Sequence, residues 1–497
     1  MPNHGEEQLE EPGIDVEHKR FLGILVGIVV ISIWIRPIFS GLWLDELGTW
    51  WVVKNGFGDT VHRAWTYQGQ SPLYYSIEWL IRVAGGRSEM TLRLPSLIAG
   101  AGAAFLFFRL VDHLLDRETA RLALLAFVAT QVIAMSSSEA RPYGLGLLVV
   151  VAATYSLVRW LDSGGWRLAA TYALLAGLTV WCHYLLGWGL VAHAIYSIAR
   201  VRAGTTRVRL RSLITTAIAL SLLVLPLVLQ ILSLWGRRAS LSIPAAPSIE
   251  RLWLTLVPPV AAAALLLGGL LARARGPLAV RAVVARPQTM SLLTSMFLLP
   301  PVGVYLLSIF TSIRLLSAYY VLPSMLAGAA LLAWAIRMIE PAFARRLIAA
   351  VLAILAVLSY GSPLMAGEDW RGAALYVSAH ASPSTVVLVH PALVESAQLS
   401  WLSNPEQRSY LLSPLSYYPM PGQIVLLPYL LTPSTETYLE GIISHQLSGV
   451  DRFLLVTRYP FVPYQAWLDG RLAASGMTSR VVGTFGVIKV IEFTRSS

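Results

Sequence analysis

A helical membrane protein of about eleven spans, followed by a small α/β domain, is the fold the sequence predicts. Three observations predict it. The 497 residues are 56% hydrophobic and only 13% charged, against roughly 25% charged in an average soluble domain. Long charge-free apolar runs recur from Phe21 to about residue 364. Beyond that point the apolar runs shorten to strand length and alternate with helix-like stretches.

A membrane-length helix needs about 20 mostly apolar residues. Spans on that measure fall near 21–39, 94–114, 119–138, 143–161, 167–182, 184–199, 212–235, 252–273, 289–312, 316–337 and 346–364. Residues 1–17 carry Glu6, Glu7, Glu10, Glu11, Asp15 and Glu17 and read as a disordered tail. His18, Lys19 and Arg20 then precede the first span, which predicts a cytoplasmic N-terminus in a multi-pass protein of the cell (plasma or inner) membrane. That span is too long for a cleavable signal peptide and lacks a small-residue cleavage site after it. Eleven spans leave everything after 364 outside. The most basic loop, Arg200 to Arg211, then falls inside, where the positive-inside rule wants it; the reverse orientation would place it outside.

The net charge of +11 is therefore first a topology signal. No soluble basic domain with interleaved aromatics points to nucleic acid. Cys182 is the single cysteine, which excludes an intramolecular disulfide and metal sites built on cysteine pairs.

The membrane domain is expected over 18–364. Its first external loop, 40–93, contains a short aromatic amphipathic run, Leu73 to Arg82, with Pro72 at its start and Tyr74 and Tyr75 in its first turns. Proline at that position and one charged face predict a helix lying in the interface, not crossing it. Trp43, Trp50, Trp51, Trp65 and Trp79 read as an aromatic belt at the membrane surface. The extracytoplasmic α/β domain is expected over 365–497. Its strands are predicted near 385–389, 424–427, 453–456 and 487–491, with helices near 369–380 and 435–445. Glu368, Asp369, Trp370 and Arg371, directly after the last span, are expected on an acceptor-binding surface.

The centres of the spans lack Asp, Glu, Lys and Arg, whereas ion-coupled transporters need an ionisable group at depth. His193 and Gln230 are the polar exceptions, and His193 reads as a satisfied packing residue. Ionisable groups gather instead at the predicted outer ends: Asp45-Glu46, Glu139 with Arg141 and Tyr143, His183-Tyr184, Arg237-Arg238, and Arg314. These supply carboxylates for base chemistry and guanidiniums for a phosphate, facing one outer aqueous pocket.

Several ordered motifs carry a family resemblance. They are Trp43-Leu44-Asp45-Glu46, Ser71-Pro72-Leu73-Tyr74-Tyr75, Leu92-Arg93-Leu94-Pro95-Ser96, Glu139-Ala140-Arg141-Pro142-Tyr143, and Arg314 with Tyr319 and Pro323. Over roughly residues 21–390 the chain resembles the GT-C superfamily of polyprenyl-phosphate-dependent glycosyltransferases. It is most similar to the branch of glycosyltransferase family 39, the protein O-mannosyltransferases, and the lipid A aminoarabinose transferases. The resemblance implies that Asp45, within the catalytic pair Asp45-Glu46, is the base that activates the acceptor. It implies a polyprenyl-phosphate-linked sugar as donor and a protein, glycolipid or polysaccharide as acceptor. An inverting single displacement at the outer face is the simplest mechanism. Arg141 and Arg314 are the expected phosphate ligands, and Glu139 orients Arg141 or binds sugar hydroxyls. Tyr143, His183 and Tyr184 line the donor site, and Arg237 and Arg238 lie on a loop over it. Relatives often carry His-Pro-Pro-Leu-Tyr where this chain has Ser71-Pro72-Leu73-Tyr74 after Gln70, so no acid or metal role transfers to that position. Some members use a divalent cation and others do not; Asp45-Glu46 has no third ligand nearby, which favours no metal and no cofactor.

Three other readings stay open beside this one. A flippase for lipid-linked sugar predicts polar residues in mid-membrane. A non-catalytic scaffold predicts a harmless Asp45→Asn. An oligosaccharide ligase or polymerase differs by using a diphosphate-linked donor.

Overall fold

The computed structural model describes residues 12–234, 245–360, 367–458 and 463–495. It forms two compact units, one of 1–38, 93–232 and 245–360, the other of 39–92, 233–244 and 361–497.

The first unit is helical and membrane-embedded. Among the described residues each of the eleven predicted spans overlaps helix. Among the described residues seven helices are long and apolar enough to cross a membrane: Lys19–Phe39, Glu89–Leu114, Tyr143–Ser163, Leu210–Leu232, Pro287–Phe310, Ala318–Arg337 and Ala342–Ser359. Two bent pairs raise the count to nine: Arg117–Ala129 with Gln131–Ser138, at 66°, and Ile249–Leu256 with Pro259–Arg273, at 55°. The count is thus seven to nine where eleven were predicted. The difference lies in Trp166–Cys182, of 17 residues, and Trp188–Arg202, of 15. At 1.5 Å per residue these reach about 25 Å and 22 Å, short of a hydrocarbon core of about 30 Å.

The breaks have local causes. Thr130 turns to extended backbone between the first pair while its hydroxyl donates back to the Ala126 carbonyl at 2.7 Å. Pro258 and Pro259 interrupt the second pair, where proline cannot continue the hydrogen-bond ladder. Leu222, Leu225 and Leu229 on Leu210–Leu234 are more than half exposed, as a lipid-facing helix should be. His193 is the satisfied packing residue expected: buried, with the Thr154 hydroxyl 3.0 Å and the Tyr172 hydroxyl 3.4 Å from its ring nitrogens. A two-residue antiparallel pairing joins β1 (Ala279–Val280) and β2 (Ile339–Glu340). Among the described residues the first helix already includes residues 12–17, part of the predicted acidic tail.

The second unit holds a five-stranded sheet of β3 (Val386–His390), β4 (Gln423–Leu426), β5 (Arg452–Arg458), β6 (Met477–Phe485) and β7 (Ile488–Arg495), in the order β4-β3-β5-β7-β6. β3 pairs in parallel with β4 and β5; β7 runs antiparallel to β5 and β6. Helices Trp370–His380, Pro433–His445 and Tyr464–Leu472 accompany it. Val386, Leu388, Phe453, Leu455, Ile491 and Phe493 alternate toward one buried cluster, and Phe453 and Phe493 stack at 4.6 Å. β6 was not predicted from sequence.

The first-loop residues 39–92 belong to this same unit. They fold as helices, including Leu44–Val53, Phe57–Arg63 and Pro72–Gly85. Ser71 caps the last of these by accepting from the Leu73 N–H at 3.3 Å, with Pro72 in its first turn. Trp50 and Trp51 are core residues and not a surface belt. Trp51 is fully buried, its ring 5.1 Å from Tyr67 and 5.2 Å from Tyr410. Its indole donates to Ser409 at 2.9 Å, and that of Trp50 to the Ser416 carbonyl at 3.3 Å. A buried indole needs such a partner for its N–H.

Candidate active site

The predicted site residues fall in both units. In the second unit Asp45 and Glu46 occupy the first turn of helix Leu44–Val53. Asp45 is half-buried and Glu46 fully buried. Carboxylates are favoured in a first turn, where backbone N–H groups lack partners. Glu46 takes up that role by accepting from the Trp43 N–H at 3.2 Å.

The Leu44 N–H is satisfied from far away in sequence. The Glu368 carboxylate accepts it at 2.9 Å through Oε2, which also accepts the Trp370 indole N–H at 3.1 Å. Oε1 of Glu368 pairs with the Arg458 guanidinium at 2.6 Å. Burial raises the Glu368 carboxyl above its ordinary pKa, and Arg458 and the Leu44 N–H oppose that shift. Glu368 and Trp370 are therefore interior residues, not the acceptor-facing surface expected of them; the donors around the carboxylate offset part of the cost of burying it. Asp369 caps helix Trp370–His380 by accepting from the Gly372 N–H at 2.8 Å, and Arg371 is exposed.

Tyr74 and Tyr75 are buried on helix Pro72–Gly85, and the Tyr75 hydroxyl donates to Gln70 at 2.8 Å. One turn on from Tyr74, Glu78 is also fully buried. Burial holds its carboxyl well above the ordinary range, against the Tyr74 hydroxyl; the nearby Glu46 carboxylate adds to the rise. Sequence reading passed over Glu78, which looked like the charged face of an interfacial helix.

In the first unit the bent pair ends at Ser138 and delivers Glu139, Arg141 and Tyr143 on one turn. The Ser96 hydroxyl donates to the Arg141 carbonyl at 3.1 Å and clamps that turn. Glu139 and Arg141 are buried. The Tyr319 hydroxyl lies 3.1 and 3.0 Å from the two Glu139 carboxylate oxygens. The Tyr319 ring stacks on Tyr143 at 4.5 Å, and the Arg141 guanidinium lies 5.7 Å from the centre of the Tyr143 ring. His183 lies 5.8 Å from Tyr143 and stacks on Tyr320 at 4.5 Å. Aromatic walls around a carboxylate and a guanidinium suit an anionic sugar conjugate: the rings offer flat apolar faces, and the charged groups address hydroxyls and phosphate.

Tyr184 hydrogen-bonds Gln230, which is fully buried. Arg314 lies apart: its guanidinium donates to the Ser308 and Thr311 carbonyls at the end of helix Pro287–Phe310. Arg237 and Arg238 lie outside the described residues. Sequence reading missed Tyr320, and the adjacent pair Tyr319-Tyr320 before Pro323 was its available signal.

Residues 70–229 match the family described as dolichyl-phosphate-mannose-protein mannosyltransferase. No curated protein sequence matches the chain. Among solved structures, ArnT from Cupriavidus metallidurans in the apo state aligns with a TM-score of 0.54 at 10% identity, over 97% of this chain and 98% of that one. The same enzyme bound to undecaprenyl phosphate aligns at 0.51 and 10% identity, over the same shares. The chain is therefore similar in fold to ArnT over nearly its whole length, and across residues 70–229 it resembles the dolichyl-phosphate-mannose-protein mannosyltransferase family.

Proposed function

We propose that this protein is a membrane glycosyltransferase that moves a sugar from a polyprenyl-phosphate donor to an acceptor at the outer face of the membrane. The observation that carries the reading is the mannosyltransferase match over residues 70–229. That segment contains helix Pro72–Gly85, the Glu139–Tyr143 turn and His183. ArnT, similar in fold, has been solved with undecaprenyl phosphate bound.

The reaction is an inverting single displacement. The acceptor hydroxyl or amine attacks the anomeric carbon, and its proton passes to Asp45. The bond from that carbon to the phosphate oxygen breaks, and its electron pair leaves with the polyprenyl phosphate. Phosphate is a competent leaving group once its charge is neutralised, so no covalent enzyme intermediate is needed. Arg141 supplies that neutralisation. Glu139, held by Tyr319, binds sugar hydroxyls, and the Tyr143, His183 and Tyr320 rings flank the sugar.

Purified protein is tested for transfer with short-chain polyprenyl-phosphate sugars, wild type beside Asp45→Asn, with and without EDTA. Release of polyprenyl phosphate by wild type, reduced at least about 10²-fold in Asp45→Asn, is the expected result, since loss of a positioned base costs about 10²–10⁴-fold. Equal turnover in the two proteins removes Asp45 from this role. Turnover with diphosphate-linked donors alone replaces the donor class.

A further inference from the structure

Helix Leu44–Val53 begins without a capping side chain of its own. Its N-cap residue is Trp43, whose indole has no acceptor oxygen to offer the first backbone N–H groups. Glu46 serves the Trp43 N–H. The Leu44 N–H is left to Glu368, 324 residues further along the chain. A negative group at a helix N-terminus also interacts favourably with the helix dipole. Glu368 is thus the missing cap of the turn that carries Asp45.

That carboxylate is itself held on all sides. Its Oε1 meets Arg458 at the end of β5, and its Oε2 takes the Trp370 indole N–H. The backbone of Glu368 bridges to Gly486 in the β6–β7 turn, and the Asp369 N–H donates to the Phe485 carbonyl at 3.3 Å. A second tie lies two residues upstream of Leu44. The Leu42 N–H donates to the Tyr418 hydroxyl at 2.9 Å, and that hydroxyl donates to Glu89 at 3.0 Å. Two backbone N–H groups therefore tie the acidic turn to the α/β domain, one through Glu368 beside the β6–β7 turn and one through Tyr418.

We propose that Glu368, backed by Arg458, is a positioning residue for glycosyl transfer: it sets the first turn of the Asp45 helix and makes the α/β domain part of the catalytic machinery. This rests on Asp45 being the base. A base displaced by about 1 Å can cost about 10²-fold in rate, and a helix that has lost its cap frays first at its opening turn. Glu368 is buried with its oxygens engaged by the Leu44 N–H, the Trp370 indole and Arg458, so donor binding is expected to stay unchanged.

The test compares the wild-type full chain with Glu368→Ala and Glu368→Gln in detergent, using the transfer assay above. Glutamine keeps an oxygen that accepts the Leu44 N–H; alanine does not. Hydrogen exchange over the peptide containing Leu42 to Leu47 is read in parallel, independently of activity. The expected result for Glu368→Ala is a kcat lowered about 30-fold, a donor KM within about twofold, and faster exchange in that peptide. Glu368→Gln regains a kcat within about threefold of wild type, with exchange near normal. Wild-type turnover with an unchanged kcat in Glu368→Ala overturns the proposal. So does a KM that rises as kcat falls, or a glutamine variant as impaired as alanine. No wild-type turnover with any donor overturns the functional reading itself, and the exchange data then still report whether the cap holds the turn.

Discussion

At the residue scale, Glu139 and Arg141 share one turn, with the Tyr319 hydroxyl on the Glu139 carboxylate and the Arg141 guanidinium near the Tyr143 ring. Two variants probe the two groups. Arg141→Ala is expected to lower kcat/KM for the donor by about 10²-fold or more, because a cation facing a developing phosphate charge acts mainly in the transition state. Tyr319→Phe keeps the ring stack on Tyr143 and loses only the hydroxyl, so its cost is about threefold to tenfold, the equivalent of about one hydrogen bond. Steady-state kinetics on the two variants checks the order; a Tyr319→Phe defect as large as that of Arg141→Ala would reverse it. Arg314, engaged with carbonyls at the end of its own helix, reads from its geometry as a cap.

At the element scale, the Glu139–Tyr143 turn depends on close helix approach. A Cβ at Gly144 would lie 2.7 Å from the Ser136 carbonyl oxygen and 2.9 Å from that of Ser96. Both are backbone atoms and cannot turn aside. Gly144→Ala should therefore destabilise by about 1–3 kcal/mol and displace the turn, read as a lower melting temperature with reduced transfer. Ala at Gly441, where nothing lies within 4 Å, is the matched control. The α/β domain offers a pH test. His390 on β3 is buried with the Thr457 hydroxyl 3.1 Å from its Nδ1, and burial, with Arg458 nearby, pushes its pKa down to about 3. An unfolded histidine takes up a proton near pH 6.5, while the folded one stays neutral. Stability is thus lost as pH falls from about 6.5 toward 3, by up to about 1.4 kcal/mol per pH unit for this one group. Melting curves of His390→Asn against wild type check this: the variant should show a shallower decline across that window. An unchanged slope assigns the acid sensitivity to other groups.

At the scale of the whole molecule, orientation is the open prediction, and the chain is well suited to a labelling test. Cys182, the single cysteine, is buried, so single cysteines placed on Cys182→Ser report without background. A cysteine at exposed Gly204, in the basic loop, should react with a membrane-impermeant maleimide only after the membrane is opened. One at exposed Ser384 in the α/β domain should react from outside in sealed cells. Labelling of both from the same side would break the topology and, with it, the outer-face reading. The end of the membrane unit near the basic loop is built of charge pairs. Arg200 meets Asp162 at 2.8 Å, while Arg345 and Arg337 meet Glu118 at 3.1 and 3.0 Å. Basic residues there stitch helices together.

Much of this was legible in the sequence because it rests on local signals. Apolar length marks each membrane helix, since a backbone in lipid must satisfy its own hydrogen bonds. Ser71-Pro72 marks a helix start, and short continuous apolar runs mark β3, β5 and β7. β6 escaped notice because it is an edge strand with most side chains part-exposed and a bulge between Val481 and Gly483, leaving no apolar run to read. The short helices Trp166–Cys182 and Trp188–Arg202 looked like spans by hydropathy alone. Only the tertiary structure decided which charges are interior. Glu46, Glu78 and Glu368 resemble surface carboxylates in sequence. Glu46 sits at a helix end, Glu368 meets a backbone N–H 324 residues away, and burial holds the Glu78 carboxyl above its ordinary range; spacing along the chain carries no record of such surroundings.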